Sequence, residues 1–279
     1  MTNIPTGSAQ RYEAWARTRF PLEPIAIDLT LISPMDTLPF IVIGFAAQLV
    51  DGALGMAFGL ISSTLLLSLG MPPATASASV HTAESFTTAV SGISHTLHRN
   101  VDWRLFFRIV IPGLIGGVTG AYLLTQVSAE AARPIVLAYL SLAGLYLLWR
   151  GARHRHVEKR PRVIAPLGLV GGFLDAAGGG GWGPIVTSNL LIQGATPRKV
   201  IGTVNTAEFF LTITISATFI FTLGWKAFTV ATLGLLIGGI AAAPLGGFVA
   251  KRVAADGLLI MVGLVLTLTS LYGIWRALT

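Results

Sequence analysis

The sequence predicts an all-α polytopic membrane protein built from two homologous repeats. Of its 279 residues, 53% are hydrophobic and only 11% are charged, whereas soluble domains carry about 25% charged residues. Several apolar runs reach the ~20 residues that a helix needs to cross a bilayer. The segment Gly44–Phe86 aligns without a gap on Gly168–Phe210, and 15 of the 43 paired residues are identical. The two halves therefore form one integrated transmembrane domain.

The first repeat, residues 38–150, is predicted to begin with a broken segment. As one helix, Leu38–Leu69 would be roughly 48 Å long, too long for a comfortable span. Asp51-Gly52 and Gly55 interrupt it, and two short half-helices fit better. Three membrane-crossing helices are predicted after it, over Ala74–Leu97, Leu105–Leu124 and Arg133–Trp149.

The second repeat, residues 166–279, follows the same plan. Its broken segment, Pro166–Ile192, contains the run Gly178–Gly181, and each glycine costs roughly 1 kcal/mol in a helix interior. The three crossing helices are predicted over Val200–Phe221, Thr229–Ala250 and Leu258–Trp275.

The two remaining segments are polar. Residues 1–37 are predicted to be an N-terminal tail without the pattern of a cleavable signal peptide. Residues 151–165 are predicted to be a cytoplasmic loop, because six of the nineteen Lys and Arg residues lie within Arg150–Arg162 and basic loops stay inside.

The topology of the broken segments decides how the repeats are related. If each segment crosses once, the repeats are parallel; if each is a re-entrant hairpin, each repeat has three crossing helices and the repeats are inverted. The basic residues of the short loops favour inversion, whereas the three arginines of the tail oppose it. We predict inversion.

Paired, glycine-broken hydrophobic segments indicate a transporter binding site. A half-helix beginning near Gly55 or Gly179 presents free N–H groups to a small anion. Gly59, Gly180 and Gly183 would let the anion approach the backbone. The alternative is that these glycines only permit tight packing.

Four carboxyl groups accompany the breaks. Asp51 and Asp175 precede the repeated glycines by four residues, and they either cap the half-helices or couple transport to protons or cations. Glu84 and Glu208 lie in the shared Thr-Ala-Glu sequence. Each either exchanges protons or binds exposed backbone of the broken segment.

Other polar and aromatic residues complete the predicted site. His81 is matched by Asn205 in the second repeat, and both are predicted to contact substrate, with a proton role open for His81. Phe58 and the equivalent Trp182, together with Gln48, are predicted to wall the pathway, although ordinary packing also explains the two aromatic residues.

Several function classes are disfavoured. The chain has no Cys, which excludes disulfides and thiolate chemistry. Hydrolase and nucleotide-binding motifs are absent from the sequence, so we expect neither an enzyme nor a cofactor. The +7 net charge reflects membrane orientation and not a nucleic-acid partner. The acidic residues and His81 leave transport of a divalent metal or other cation as an alternative, although His81-x-x-Glu84 is weak evidence for a metal site.

Two motifs and their repetition resemble the sulfite exporter TauE/SafE family. Gly44–Gly59 with His81-Thr-Ala-Glu84, and Gly168–Pro184 with Asn205-Thr-Ala-Glu208, carry the resemblance. The resemblance implies a multi-pass transporter of the bacterial inner membrane without an ATP-binding subunit. It also implies a small, sulfur-containing anionic substrate such as sulfite, sulfoacetate or another organosulfonate. The expected partners are that anion and the lipid bilayer, with a homodimer possible.

Overall fold

A computed structural model describes residues 34–152, 161–225, 229–252 and 255–278. The predicted tail therefore lies outside the described residues up to residue 33, as does most of the predicted basic loop. In the first half, α1 is Pro34–Leu54, α2 is Phe58–Ser68, α3 is Pro73–Leu97, α4 is Trp103–Gln126 and α5 is Ala129–Gly151.

The second half repeats this order of helices. Here α6 is Ala165–Gly178, α8 is Pro197–Leu223, α9 is Val230–Arg252 and α10 is Ala255–Leu278. Between α6 and α8 lies α7, which begins as a π-helix, Trp182–Thr187, and continues as an α-helix, Ser188–Ile192. No strand occurs within the described ranges.

Local sequence explains where the helices begin. Pro73 and Pro197 open α3 and α8, and proline suits the first turn because its missing N–H would have no partner there. Asp102 precedes α4 and accepts hydrogen bonds from the N–H groups of Arg104 and Leu105. Ser128 caps α5 in the same way. The helices α4 and α5 therefore begin a few residues before the starts predicted from the sequence.

Within the described ranges, four helices are long and apolar enough to cross a membrane: α1, α4, α5 and α8. Shorter apolar helices lie at Phe58–Ser68, Ala165–Gly178, Val230–Leu245 and Leu259–Trp275. The helix α3 is more polar because its buried face carries serines, His81 and Glu84. The described part of the chain is thus all-helical and has the composition of a polytopic membrane protein.

Small residues bring α4 and α6 together, one from each half of the chain. Gly116 packs against Leu169 and Phe173, and four residues later Gly120 packs against Phe173 and Ala176. Positions rise together along the two helices, so α4 and α6 run parallel. A Cβ at any of these glycines would overlap the partner backbone, as small-residue membrane interfaces require.

The helices α1 and α9 form the corresponding pair. Gly234 packs against Phe40 and Ile41, and Gly238 packs against Ile41 and Phe45. This pair also runs parallel. Each half of the chain therefore places its first helix against the fourth helix of the other half.

Matching helices of the two halves pair with opposite directions. The early part of α8 lies beside the end of α3, where Lys199 donates to the carbonyl of Arg99, and further along Thr88 lies 3.5 Å from Thr212. The same relation joins α5 and α10, in which Leu137 packs against Gly273 and Gly151 against Ile260.

The start of α6 lies beside the end of α7. The side chain of Gln193 accepts from the N–H groups of Arg162 and Val163 at 2.9 Å and donates to the carbonyl of Val163 at 3.1 Å. The segment therefore folds back on itself, and its glycine run forms the tip of a hairpin.

The start of α1 and the end of α2 lie together at one end of the bundle, opposite to the end that holds Gln193. The end of α2 leads directly into α3, whose Ser79 contacts Thr229, just before α9. Because α1 runs parallel to α9, it begins at this end too. We call Pro34–Ser68 hairpin 1 and Ala165–Ile192 hairpin 2.

Candidate functional site

The tip of hairpin 1 is a tight turn stabilised by Asp51. Gly55 and Ala57 both have left-handed backbone, with φ of 67° and 101°. Asp51 accepts a hydrogen bond from the N–H of Phe58 through its carboxylate at 3.3 Å. The carboxylate thereby satisfies the first free donor of α2, and α2 begins three residues beyond Gly55 because the left-handed turn comes first.

The tip of hairpin 2 repeats this arrangement with more glycine. Gly179, with φ of 73°, ends α6, and the N–H of Gly180 donates to the carbonyl of Asp175 at 3.0 Å. The Asp175 carboxylate accepts from the N–H of Trp182 at 2.8 Å. Asp51 and Asp175 thus make the same contact in the two halves, and α7 begins at Trp182.

The two tips touch each other at the centre of the bundle. A Cβ on Gly59 would lie 2.8 Å from the Cα of Gly180, and a Cβ on Gly183 would lie 2.7 Å from the Cβ of Met56. Ser63 also donates a short hydrogen bond to the carbonyl of Gly179. The repeated glycines therefore make the contact between the hairpins.

His81 on α3 connects the first half of the chain to hairpin 2. Its Nε2 lies 3.0 Å from the Asp175 carboxylate, and both side chains are buried. Its Nδ1 lies 2.8 Å from the carbonyl of Ser77. Ser77 in turn donates to the carbonyl of Ala176 at 2.7 Å, so two residues of α3 hold hairpin 2 beside its tip.

Asn205 occupies the corresponding position on α8 but makes fewer contacts. Its amide donates to the carbonyl of Ile201 at 3.1 Å, as His81 does to Ser77. A Cβ on Gly55 would lie 3.5 Å from the same amide nitrogen, so Asn205 lies beside the tip of hairpin 1. The two halves of the candidate site therefore have the same arrangement and differ in the side chain beside each tip, which is His81 at hairpin 2 and Asn205 at hairpin 1.

Glu84 and Glu208 lie one turn further along α3 and α8. Both are buried, and each lies close enough to the other carboxyl groups of the site to interact electrostatically with Asp51 and Asp175. No Lys or Arg is buried among the described side chains. The centre of the bundle therefore combines four carboxyl groups with one imidazole.

The three predicted wall residues are all buried. Phe58 and Trp182 are almost fully enclosed, and the indole N–H of Trp182 donates to the carbonyl of Val204 at 3.2 Å. Its ring packs on Gly113 of α4. Gln48 is buried too, and its side-chain oxygen has no hydrogen-bond partner in the described part of the chain.

Tyr139 contacts the site although the sequence gives no sign of it. Its hydroxyl donates to the carbonyl of Gly180 at 2.7 Å, and its ring covers Gly178 and Gly181. As one of two tyrosines in the apolar helix α5, Tyr139 looks like ordinary packing in the sequence, because only the fold brings it to the tip of hairpin 2.

Replacing Tyr139 by Phe is expected to lower stability by about 1 kcal/mol, the usual net value of one hydrogen bond. The ring would still cover the glycines, so the protein should insert and remain folded. Thermal unfolding in detergent measures the change. The matched control is Tyr122→Phe, because Tyr122 is exposed on α4; an equal loss in both variants would contradict the contact.

Basic residues hold the turn between α3 and α4. Lys199 donates to the carbonyl of Arg99 at 2.9 Å, and Arg198 donates to the side chain of Asn100 at 2.5 Å. Such cations favour the carbonyl end of a helix. His95 and His98 lie at this end of α3 rather than in the centre.

No group of three or more His, Cys, Asp or Glu side chains suited to a metal ion occurs among the described residues.

Comparison with known proteins identifies the family. The family model described as sulfite exporter TauE/SafE matches residues 40–273. The chain is also 42% identical over 233 residues to the probable membrane transporter protein YtnM of Bacillus subtilis (strain 168), covering 80% of this chain and 78% of that protein. No solved structure matches the chain. The chain belongs to the TauE/SafE family of membrane transporters.

Proposed function

We propose that the protein is a secondary transporter of a small, sulfur-containing anion in the inner membrane of a bacterium. Sulfite, sulfoacetate and other organosulfonates are the substrates to test first. Family membership supports this class of substrate, because the family is described by sulfite export. The observation that carries the site assignment is the meeting of two glycine-rich hairpin tips, one from each half, at buried polar residues.

The backbone at the tips suits an anion. In a helix that begins at Phe58, the N–H groups of Gly59 and Leu60 have no acceptor in a preceding turn. Gly183 occupies the corresponding first turn of α7. Two helix N-termini that meet can bind an anion through backbone N–H groups without a buried Lys or Arg.

The side chains of the site have separate roles in this proposal. His81 and Asn205 flank the anion, one beside each tip, and Gly55 and Gly179 make the turns that present the backbone. The tips touch in the described conformation, so substrate enters when the hairpins move apart. The carboxyl groups of Asp51 and Asp175 keep each half-helix capped during this movement.

We propose further that the two halves are inverted repeats that alternate access to the site. The matching helices α3 and α8 run in opposite directions, as do α5 and α10. A two-fold axis that relates antiparallel helices lies perpendicular to them, hence in the membrane plane. Repeats related in this way support rocking around a site at the midplane.

Cysteine labelling tests the inversion. Ser68→Cys and Ile192→Cys place single thiols at matching, exposed ends of α2 and α7 in a chain without native Cys. The two thiols should react with a membrane-impermeant maleimide from opposite faces of oriented vesicles. Labelling of both from one face would contradict inverted repeats.

A thermal-shift screen tests the class of ligand. Detergent-purified protein is heated with sulfite, sulfoacetate, chloride or Ni²⁺, because a ligand that binds only the folded state stabilises it by about 2.7 kcal/mol at a hundred times its Kd. We expect the sulfur oxyanions to raise the melting temperature. Stabilisation by Ni²⁺ alone would contradict the proposal and support cation transport.

A further inference from the structure

Hydrogen-bond geometry fixes one proton on His81. Its Nδ1 lies 2.8 Å from the carbonyl oxygen of Ser77, which can only accept. The Ser77 hydroxyl lies 3.2 Å from the same nitrogen, but its hydrogen is used in the bond to the carbonyl of Ala176 at 2.7 Å. Both neighbours of Nδ1 therefore accept, and Nδ1 carries a hydrogen.

A second proton must lie between His81 and Asp175. A neutral imidazole with its hydrogen on Nδ1 has a lone pair on Nε2. This nitrogen lies 3.0 Å from a carboxylate oxygen, and two lone pairs at that distance repel each other. One added proton, on either the nitrogen or the oxygen, turns the contact into a hydrogen bond and leaves the pair without net charge.

We infer that the His81–Asp175 pair is a proton-binding site whose occupancy holds hairpin 2 against α3 and whose release frees the tip. The inference rests on the proposed function, in which the hairpins separate during transport. In this step the N–H or O–H bond that holds the added proton breaks, and the proton passes to water. No other covalent bond is made or broken. Neutral His81 and ionised Asp175 then face each other as two acceptors, and their contact becomes repulsive.

The other half of the chain lacks this site. Asn205 replaces His81, and an amide neither gains nor loses a proton near neutral pH. Asp51 still caps its half-helix through Phe58. A proton therefore controls hairpin 2 alone, although the repeats otherwise match.

Among the described residues, four other titratable groups lie near the His81–Asp175 pair. Glu84 lies on α3 itself, Asp51 on hairpin 1, Glu208 on α8 and Tyr139 on α5, and they interact electrostatically with Asp175 or with each other. Any ionised carboxylate among them repels an added negative charge. Release of the proton from the pair therefore adds a negative charge to an acidic cluster in which no described Lys or Arg is buried, and this favours separation of the tip.

The first test measures how accessible the tip of hairpin 2 is in the absence of substrate. Ala177→Cys places one thiol on half-buried backbone two residues after Asp175. Its reaction with a methanethiosulfonate reagent is measured in mildly acidic and mildly alkaline buffer, and each rate is divided by that of the unfolded protein to remove thiol ionisation. We expect the corrected rate to rise with pH.

Matched variants, each made in the Ala177→Cys protein, test whether the pH response depends on the His81–Asp175 pair. His81→Asn gives α3 the residue of the other repeat, and Asp175→Asn gives a partner that can donate to a neutral imidazole; both should lose the pH response. Asp51→Asn changes the matching carboxylate that has no His partner and should retain it. A response that survives His81→Asn, or that Asp51→Asn removes equally, would overturn the inference.

The second test measures coupling. Proteoliposomes that contain a pH-sensitive dye receive a sulfite gradient, and the ratio of protons to radiolabelled sulfite moved is recorded. We expect this ratio, which is counted per sulfite moved, to be lower for His81→Asn than for the unmodified protein. An unchanged ratio would overturn the coupling role. Absence of sulfite movement in the unmodified protein would instead refute the proposed substrate and leave the labelling result to decide the proton site.

Discussion

Replacing Gly180 by Ala is expected to abolish transport while membrane insertion is retained. The new Cβ would lie 2.9 Å from the Cα of Gly59 and closer still to the backbone N of Leu60. Backbone atoms cannot move aside as a flexible side chain can, so the tips must separate. Overpacking of this kind costs typically 1–3 kcal/mol, here at the contact that defines the site. Uptake of radiolabelled sulfite by proteoliposomes measures the loss.

A control variant separates overlap from backbone strain. Gly180 and Gly70 both have positive φ, of 158° and 93°, but a Cβ on Gly70 would meet nothing within 4 Å. Gly70→Ala should therefore cost about 1–2 kcal/mol from the left-handed strain and preserve transport. Full transport by Gly180→Ala, or equal loss in both variants, would contradict the role of the contact between the tips.

Replacing Asp175 by Ala is expected to be among the most destabilising single changes in the site. It removes the cap of Trp182 and leaves the buried imidazole of His81 without its partner. Leaving a buried polar group without its partner costs about 1–3 kcal/mol, and loss of the cap adds about 1 kcal/mol. The melting temperature in detergent should fall clearly.

The matching change in hairpin 1 gives the comparison. Asp51 makes one capping bond, at 3.3 Å, and it has no His partner among the described residues. Asp51→Ala should therefore cost about 1 kcal/mol, the usual value of a cap. If the two variants lost equal stability, the additional contribution of the His81–Asp175 pair would be contradicted.

The break in each hairpin follows from local sequence. Glycine-rich turns cannot continue a helix, and the repeat shows that the break occurs twice. The sequence also indicates Asp51 and Asp175, because their spacing from the repeated glycines is the same in both halves. Local chemistry was sufficient for these features because each involves residues no more than seven positions apart.

The contacts that join the halves could not be predicted in this way. His81 and Asp175 are 94 positions apart, and Tyr139 reaches Gly180 across 41. Partners at such distances depend on the packing of whole helices, which hydropathy does not determine. The sequence favours re-entry only through the basic residues of the short loops, since the side chain of Gln193, which links the two ends of hairpin 2, carries no signal of its own.

The site glycines remain a prediction as substrate contacts, since their close packing also serves the structure. Gly180→Ala and its control Gly70→Ala test the packing role, because only the first places a Cβ against the backbone of the other hairpin.

Substrate flux tests the central claim most directly. Purified protein is reconstituted into liposomes, and entry of radiolabelled sulfite is compared with entry of Ni²⁺, with protein-free liposomes and the Gly180→Ala variant as controls. The account predicts saturable sulfite flux that Gly180→Ala abolishes and no protein-dependent Ni²⁺ flux. Protein-dependent entry of Ni²⁺ without sulfite would contradict anion transport through the contact between the two hairpins.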